Sequence, residues 1–138
     1  MGLTDTTVLY DGGQAEELLY YVALLNSTLL TLRFRYVGKL KSSGIIEYFW
    51  NSLSGLRVRR IDFQDAGDKA CHDALVEQAR HALEVNARLE LARTAHDRAL
   101  VEREAASDDR QIDRLVYELH GLTSRDVKTI ESHSSEWR

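Results

Sequence analysis

The chain has 138 residues, of which 43% are hydrophobic and 29% are charged, a composition that excludes wholesale disorder and is typical of a globular protein. Its formal net charge of −4 excludes a surface that is basic throughout. Proline is absent, and because long helices exclude proline, we expect helix to predominate in one domain with extensions.

Two features predict a cytoplasmic protein. Cys71 is the single cysteine, so no intramolecular disulfide can form, and no apolar N-terminal run with a basic flank indicates a signal peptide. Residues 18–32 form the longest strongly apolar stretch, but Asn26 and three further polar residues interrupt it, and it is shorter than the ~20 residues that a bilayer span needs. We therefore expect no membrane partner and interpret 18–32 as a buried core helix.

The N-terminal part of the chain predicts short strands around this core helix. Residues 4–10 are rich in β-branched and aromatic types and lead into a turn signal, while residues 56–60 alternate apolar residues with arginines, the period of a half-buried strand. From Gln14 to Leu32, leucine and valine recur at helical spacing. The polar residues 26–28 offer N-cap side chains, so this stretch is either one helix or two consecutive ones.

Residues from 64 onward predict a long antiparallel helical hairpin, of coiled-coil type. Asp68 or a neighbour can cap a first helix that runs to about Arg93, and Thr94 has the spacing of a capping box with Asp97 at the start of a second helix. Gly121 stands where a helix-terminating glycine is expected, and a short last helix follows it.

These elements predict a mainly α fold of the α+β class. A small N-terminal subdomain with one or two short strands and core helices would precede the long antiparallel hairpin and a short C-terminal helix. We place the subdomain at 1–63, the hairpin segment at 64–132 and a flexible tail at 133–138.

Charge is distributed unevenly along the chain. Residues 31–60 contain seven basic residues and one acidic residue, a net charge of +6, so the rest of the chain carries −10. A basic segment inside an acidic protein indicates a surface that faces phosphates, although such charges can also serve only to keep a face solvated.

The loop predicted at 38–44 and the aromatic residues after it strengthen a nucleic-acid interpretation. Lysines neutralise phosphates, serines can hydrogen-bond to phosphates or bases, and aromatic rings stack on bases, although Phe49 and Trp50 can equally fill the core. The candidate DNA-binding residues are Arg33, Arg35, Lys39, Lys41, Ser42, Ser43, Tyr48, Arg57, Arg59 and Arg60.

The sequence offers little that could carry catalysis. It has no phosphate-cradling glycine loop, no dinucleotide fingerprint and no nucleophile elbow, so we expect no catalytic residue and no cofactor. His81 would lie beside Glu77 and Glu84 on one helix, which suits a metal ion or a solvated ion-pair face, and without a closed ligand set we expect no metal site. The carboxylates at 102, 104, 108 and 109 are interpreted as solubilising.

A family resemblance enters at residues 108–131, "DDRQIDRLVYELHGLTSRDVKTIE". This stretch resembles the terminal signature of type IIG restriction–modification enzymes and related adenine-specific DNA methyltransferases. Upstream, "YYVALLNSTLL", "VRRIDFQDAGDKACHDALVEQA" and "ARLELARTAHDRA" are similar, in the same order, to the later part of the TaqI-like specificity domain and the helices after it.

The resemblance implies a DNA-recognition role without catalysis. In that family a methyltransferase domain, which uses S-adenosylmethionine, precedes the target-recognition domain, and its Asn-Pro-Pro-aromatic motif cannot occur in a chain without proline. The part present here resembles the end of the recognition domain and its helical spacer. The implied partners are double-stranded DNA and a methyltransferase or restriction subunit.

Two other interpretations use the same residues. The hairpin could be a protein–protein interaction module that docks to a partner subunit or forms a homodimer without direct DNA binding. The chain could also be a truncated gene product.

Overall fold

The computed structural model describes residues 12–37, 39–40, 46–47 and 53–135. Within these ranges the chain forms five helices: α1 (Leu18–Asn26), α2 (Thr28–Val37), α3 (Ala66–Leu91), α4 (Ala95–Leu119) and α5 (Ser124–Ser135). Two short strands, β1 (Lys39–Leu40) and β2 (Ile46–Glu47), pair antiparallel, with Lys39 opposite Glu47 and Leu40 opposite Ile46.

The mainly helical part of the predicted fold is correct, but the α+β class is wrong. Residues 56–60 are irregular and form no strand, and the other predicted strand, at 4–10, lies outside the described residues. The β1–β2 pairing is two residues long and falls within and just after the predicted loop, so it does not restore the predicted class. Residues 56–60 have the alternating pattern of a strand, but their backbone hydrogen-bonds to side chains of neighbouring helices, as described below.

Buried Ser27 separates α1 from α2, which settles the alternative left open by the sequence in favour of two consecutive helices. The Ser27 hydroxyl donates to the Leu24 carbonyl at 2.6 Å and accepts the Leu30 N–H at 3.3 Å. The same side chain therefore closes one helix and caps the next.

The two long helices of the predicted hairpin are confirmed as α3 and α4, which pack against each other, while the coiled-coil type stays a prediction. Asp65 caps α3 by accepting the Asp68 N–H at 2.8 Å, and Thr94 caps α4 by accepting the Asp97 N–H at 3.0 Å. Gly121 ends α4 with a φ of +63°, the left-handed conformation that the sequence indicated for this glycine. Helix α5 continues to Ser135, into the range predicted as a tail, and residues 136–138 lie outside the described residues.

The hydrophobic core lies between α1–α2 and the near half of the hairpin. Tyr20 and Leu24 of α1 pack with Leu75 of α3 and Val116 of α4, all fully buried, so the core draws on both sides of the predicted boundary at 63. That division into functional segments stays a prediction. In the far half of the hairpin, the two helices bury little besides their contact with each other. No helix in the described ranges combines the length and apolarity that a bilayer crossing demands.

Candidate nucleic-acid interface

Residues 56–61 run in an extended path across α1 and α2, and side chains hold their backbone in place. The Tyr20 hydroxyl of α1 donates to the Arg59 carbonyl at 2.8 Å, and the Arg33 guanidinium of α2 donates to the Arg57 carbonyl at 3.3 Å. These bonds replace the ladder that a neighbouring strand would provide, which explains why the alternating sequence forms no strand.

The alternation of residues 56–61 sorts their side chains by exposure. Leu56 and Val58 are half-buried against the core, whereas the intervening arginines are exposed. Three exposed arginines belong to this segment, and the Arg33 guanidinium of α2 contacts its backbone. We refer to Arg33, Arg57, Arg59 and Arg60 as the arginine surface.

Arg60 is bound to a buried carboxylate. Its Nε lies 2.6 Å from Oε1 of Glu16, a side chain that is 1% exposed, and the same oxygen accepts the Ile61 N–H at 3.0 Å. Burial alone would raise the pKa of Glu16, but hydrogen bonds from Arg60 and from the Ile61 backbone outweigh burial and lower it to about 2. Glu16 is therefore charged at neutral pH and balances Arg60, whose side chain stays 68% exposed.

Arg59 has a carboxylate partner as well. Its Nη2 lies 2.8 Å from Oδ1 of Asp68, in the first turn of α3, and the other oxygen of Asp68 accepts the Asp62 N–H at 3.1 Å. The backbone hydrogen bond from Asp62, followed by the bond from Arg59, lowers the pKa of the Asp68 carboxyl. Arg59 thus helps to fix the connection between the extended segment and α3.

Arg33 and Arg57 differ from these two arginines. Both are exposed, and neither has a carboxylate within 4 Å among the residues that the structure describes. These two guanidinium groups are therefore the members of the arginine surface whose charge is available to an external anion.

The remaining sequence-predicted residues are distributed differently. Arg35 of α2 is half-buried, and Lys39 lies in β1. Four of the ten candidates lie outside the described residues: Lys41, Ser42, Ser43 and Tyr48. The candidate DNA contacts therefore stay predictions.

His81, considered above as a metal ligand, forms polar contacts between the two arms of the hairpin. His81 lies across from α4, with Nδ1 3.0 Å from Asp108 and Nε2 3.6 Å from Glu104, and it pairs with neither carboxylate of its own helix face. Asp108 is buried and also accepts Gln78 at 2.8 Å, so its interpretation as a solubilising residue was wrong. Over the ranges described, no group of three histidine, cysteine or carboxylate side chains could hold a metal ion.

Sequence reasoning also missed the residues that hold the arginine surface in place. Glu16 and Tyr20 lie 44 and 39 residues before the arginines that they contact. Glu16 has the ordinary sequence appearance of an acidic residue near the start of a helix, and no local pattern distinguishes it. A buried tyrosine needs a partner for its hydroxyl, which is the one available signal for Tyr20.

Comparison with known proteins shows that the chain is similar in sequence to one class of enzyme. The type II methyltransferases M.HincII of Haemophilus influenzae and M.HindII of Haemophilus influenzae strain Rd are each 32% identical to it over 80 residues, 57% of this chain. The matched region is 16% of the first enzyme and 15% of the second, so the chain spans about a sixth of the length of these curated relatives. No protein-family model and no solved structure matches it significantly. The similarity supports a relationship to restriction–modification methyltransferases.

Proposed function

We propose that this chain is a non-catalytic DNA-contacting part of a restriction–modification methyltransferase system. It would correspond to the end of a TaqI-like target-recognition domain and the helical spacer behind it. The similarity to type II methyltransferases supports the assignment to a restriction–modification system. The arginine surface is the observation that supports DNA binding. Its four arginines are exposed, in a chain whose overall charge is −4, and Arg33 contacts the backbone of the segment that carries the other three.

The division of labour within the arginine surface follows from its ion pairs. Arg59 and Arg60 are held by Asp68 and Glu16, so they keep the extended segment in a fixed path. Arg33 and Arg57 would then meet phosphates, because an unpaired guanidinium gains most from a charge-assisted, bidentate contact. Phosphate contacts of this kind set register on the duplex and leave base reading to other residues.

The hairpin would set the distance between DNA and a catalytic subunit. Its arms, at 26 and 25 residues, are each about 38 Å long at ~1.5 Å per residue. Methyl transfer from S-adenosylmethionine would belong to a catalytic unit outside these 138 residues, which contain no proline and so cannot form the catalytic motif.

DNA binding by the 138-residue chain tests the proposal. We expect fluorescence anisotropy to detect weak binding to duplex DNA at 50 mM salt, and the double variant R33Q/R57Q to reduce the logarithmic salt slope by about 2, at ~0.9 per lost phosphate contact. The matched control R80Q/R98Q removes the same charge from ion-paired arginines of the hairpin and should bind like the wild type. Absence of DNA binding by the wild type would contradict the proposal.

One observation favours the second candidate, a protein-interaction module. At the far end of the hairpin, Leu91 is 77% exposed and Leu100 is 50% exposed, so both apolar side chains are accessible to a partner helix. Gel filtration separates the two functions: a dimer that is insensitive to salt, formed by a chain without DNA affinity, would support the interaction module.

A further inference from the structure

A row of arginines follows one face of α4, in the acidic part of the chain. Arg103, Arg110 and Arg114 are all exposed, and their spacings of seven and four residues place them within about 40° of one another around the helix. The row extends over about 16 Å at ~1.5 Å per residue. We refer to these three residues as the α4 arginine stripe.

The stripe differs from other arginines of the same hairpin in its ion pairing. Arg80 lies 3.5 Å from Glu77, Arg88 lies 3.0 Å from a carboxylate of α4, and Arg98 lies 3.7 Å from Glu102. No member of the α4 arginine stripe has a carboxylate within 4 Å among the residues described, although the surrounding sequence is acidic.

The local sequence explains how Arg103 and Arg110 stay unpaired, whereas Arg114 has Glu118 four residues later but forms no ion pair with it in the structure. The positions three and four residues from Arg103 hold alanine, leucine and serine, so no carboxylate is in reach on its own helix. Arg110 has Asp113 three residues later, but the two oxygens of Asp113 accept the N–H and the hydroxyl of Thr28 at 2.7 and 2.6 Å. The carboxylate that could neutralise Arg110 is therefore occupied.

Arg110 and Arg114 also repel each other. Like charges four residues apart destabilise a helix, and water and salt only weaken this repulsion. A polyanion bound along this face would attract both arginines and offset their mutual repulsion. The cleft of about 460 Å³ beside them contains Glu118 and Glu131, so an anion would be expected to lie along the guanidinium groups and not within the cleft.

We infer that the α4 arginine stripe is a second contact for the DNA phosphate backbone, in addition to the arginine surface. The inference rests on the proposed DNA-binding function. A row of about 16 Å corresponds to about five base pairs at 3.4 Å each, so one helix face can follow a single strand and contact several of its phosphates. Two such contacts would fix the orientation of the hairpin on the duplex as well as its position.

The test compares two charge-matched triple variants of the 138-residue chain with a double variant of the arginine surface. The stripe variant R103Q/R110Q/R114Q and the control R80Q/R88Q/R98Q each remove three positive charges from the hairpin, and R33Q/R57Q removes the unpaired part of the arginine surface. Anisotropy with labelled duplex DNA at 50 and 200 mM salt measures affinity and its salt slope. Circular dichroism verifies that each variant is folded.

We expect the stripe variant to bind DNA several-fold more weakly at 50 mM salt and to lower the salt slope by about 2 to 3, at ~0.9 per phosphate, while the control matches the wild type. Wild-type binding by the stripe variant, together with loss of binding by R33Q/R57Q, would overturn the inference and leave the proposed function intact. A wild-type chain without DNA affinity would overturn both. Equal loss of binding to DNA and to polyglutamate in the stripe variant would also overturn the inference, because it would indicate a surface for acidic proteins.

Discussion

The carboxylate of Asp113 in α4 accepts both the backbone N–H and the hydroxyl of Thr28, the first residue of α2, at 2.7 and 2.6 Å. A residue of the hairpin thus caps a helix that lies 85 positions earlier in the chain, and a negative charge at a helix N-terminus is favourable. Because α2 carries Arg33, this bond fixes part of the arginine surface relative to the hairpin.

Replacement of Asp113 by alanine should lower the free energy of unfolding by about 1–2 kcal/mol, the usual effect of losing a helix cap. Urea denaturation followed by circular dichroism measures the loss. The matched control is Glu90→Ala, which removes an exposed carboxylate from the other arm of the hairpin. Equal losses in the two variants would show that the bond to Thr28 contributes nothing specific.

The pKa of Glu16 predicts how stability depends on pH. Its folded value of about 2 is below the ordinary 4.5, so the carboxylate stabilises the folded state fully above about pH 4.5, and this contribution is lost as the pH falls towards 2. The contribution is at most on the order of 3 kcal/mol. In urea titrations between pH 6 and pH 3, wild-type stability should fall more steeply than that of Glu16→Gln. Parallel curves would contradict the assignment.

The helices could be predicted because their signals are local. Thr94 and Asp97 are three residues apart, and the terminating Gly121 directly follows the last turn of α4. The side of α1 that faces the core was harder to predict from the sequence. Leucine spacing indicated a stripe that includes Leu25, which is half-buried, whereas Tyr20 is completely buried. Helix α1 is apolar on nearly all sides, so periodicity alone cannot choose the side that faces the core.

The candidate site was predicted in part. The positive segment and the alternation of residues 56–60 are visible in the sequence, and the structure adds the contact of exposed Arg33 with the backbone of that segment. The pairing of Arg60 with Glu16 was not predictable, because Glu16 is 44 residues away and becomes a partner only when α1 folds against the extended segment. The unpaired state of Arg110 in α4 was not predictable for the same reason, since Asp113 binds Thr28 of another helix.

Asp108 should contribute far more to stability than its acidic neighbours. Its buried carboxylate accepts Gln78 at 2.8 Å and lies 3.0 Å from His81, so Asp108→Ala would leave both partners without their bond. We expect the free energy of unfolding to fall by about 1–2 kcal/mol, the net value of two hydrogen bonds, because the half-exposed His81 can bond to water instead. The control Glu102→Ala removes a carboxylate that forms an exposed ion pair with Arg98 at 3.7 Å. This variant should change stability by less than about 0.5 kcal/mol. Similar losses would contradict the burial of Asp108.

The bond between the Tyr20 hydroxyl and the Arg59 carbonyl connects the core to the arginine surface. Tyr20 is fully buried, and burial is the largest cause of the raised pKa of its hydroxyl, which therefore stays protonated and can donate. Tyr20→Phe should lower the free energy of unfolding by about 1 kcal/mol, the net value of a typical hydrogen bond. It should also weaken DNA binding, because the segment that carries Arg57 would lose one of its attachments. Tyr36→Phe, at a side chain that is 77% exposed, is the control and should change neither property. If Tyr20→Phe lowers stability but binds DNA with wild-type affinity and salt slope, then the path of the extended segment does not position the arginines for binding.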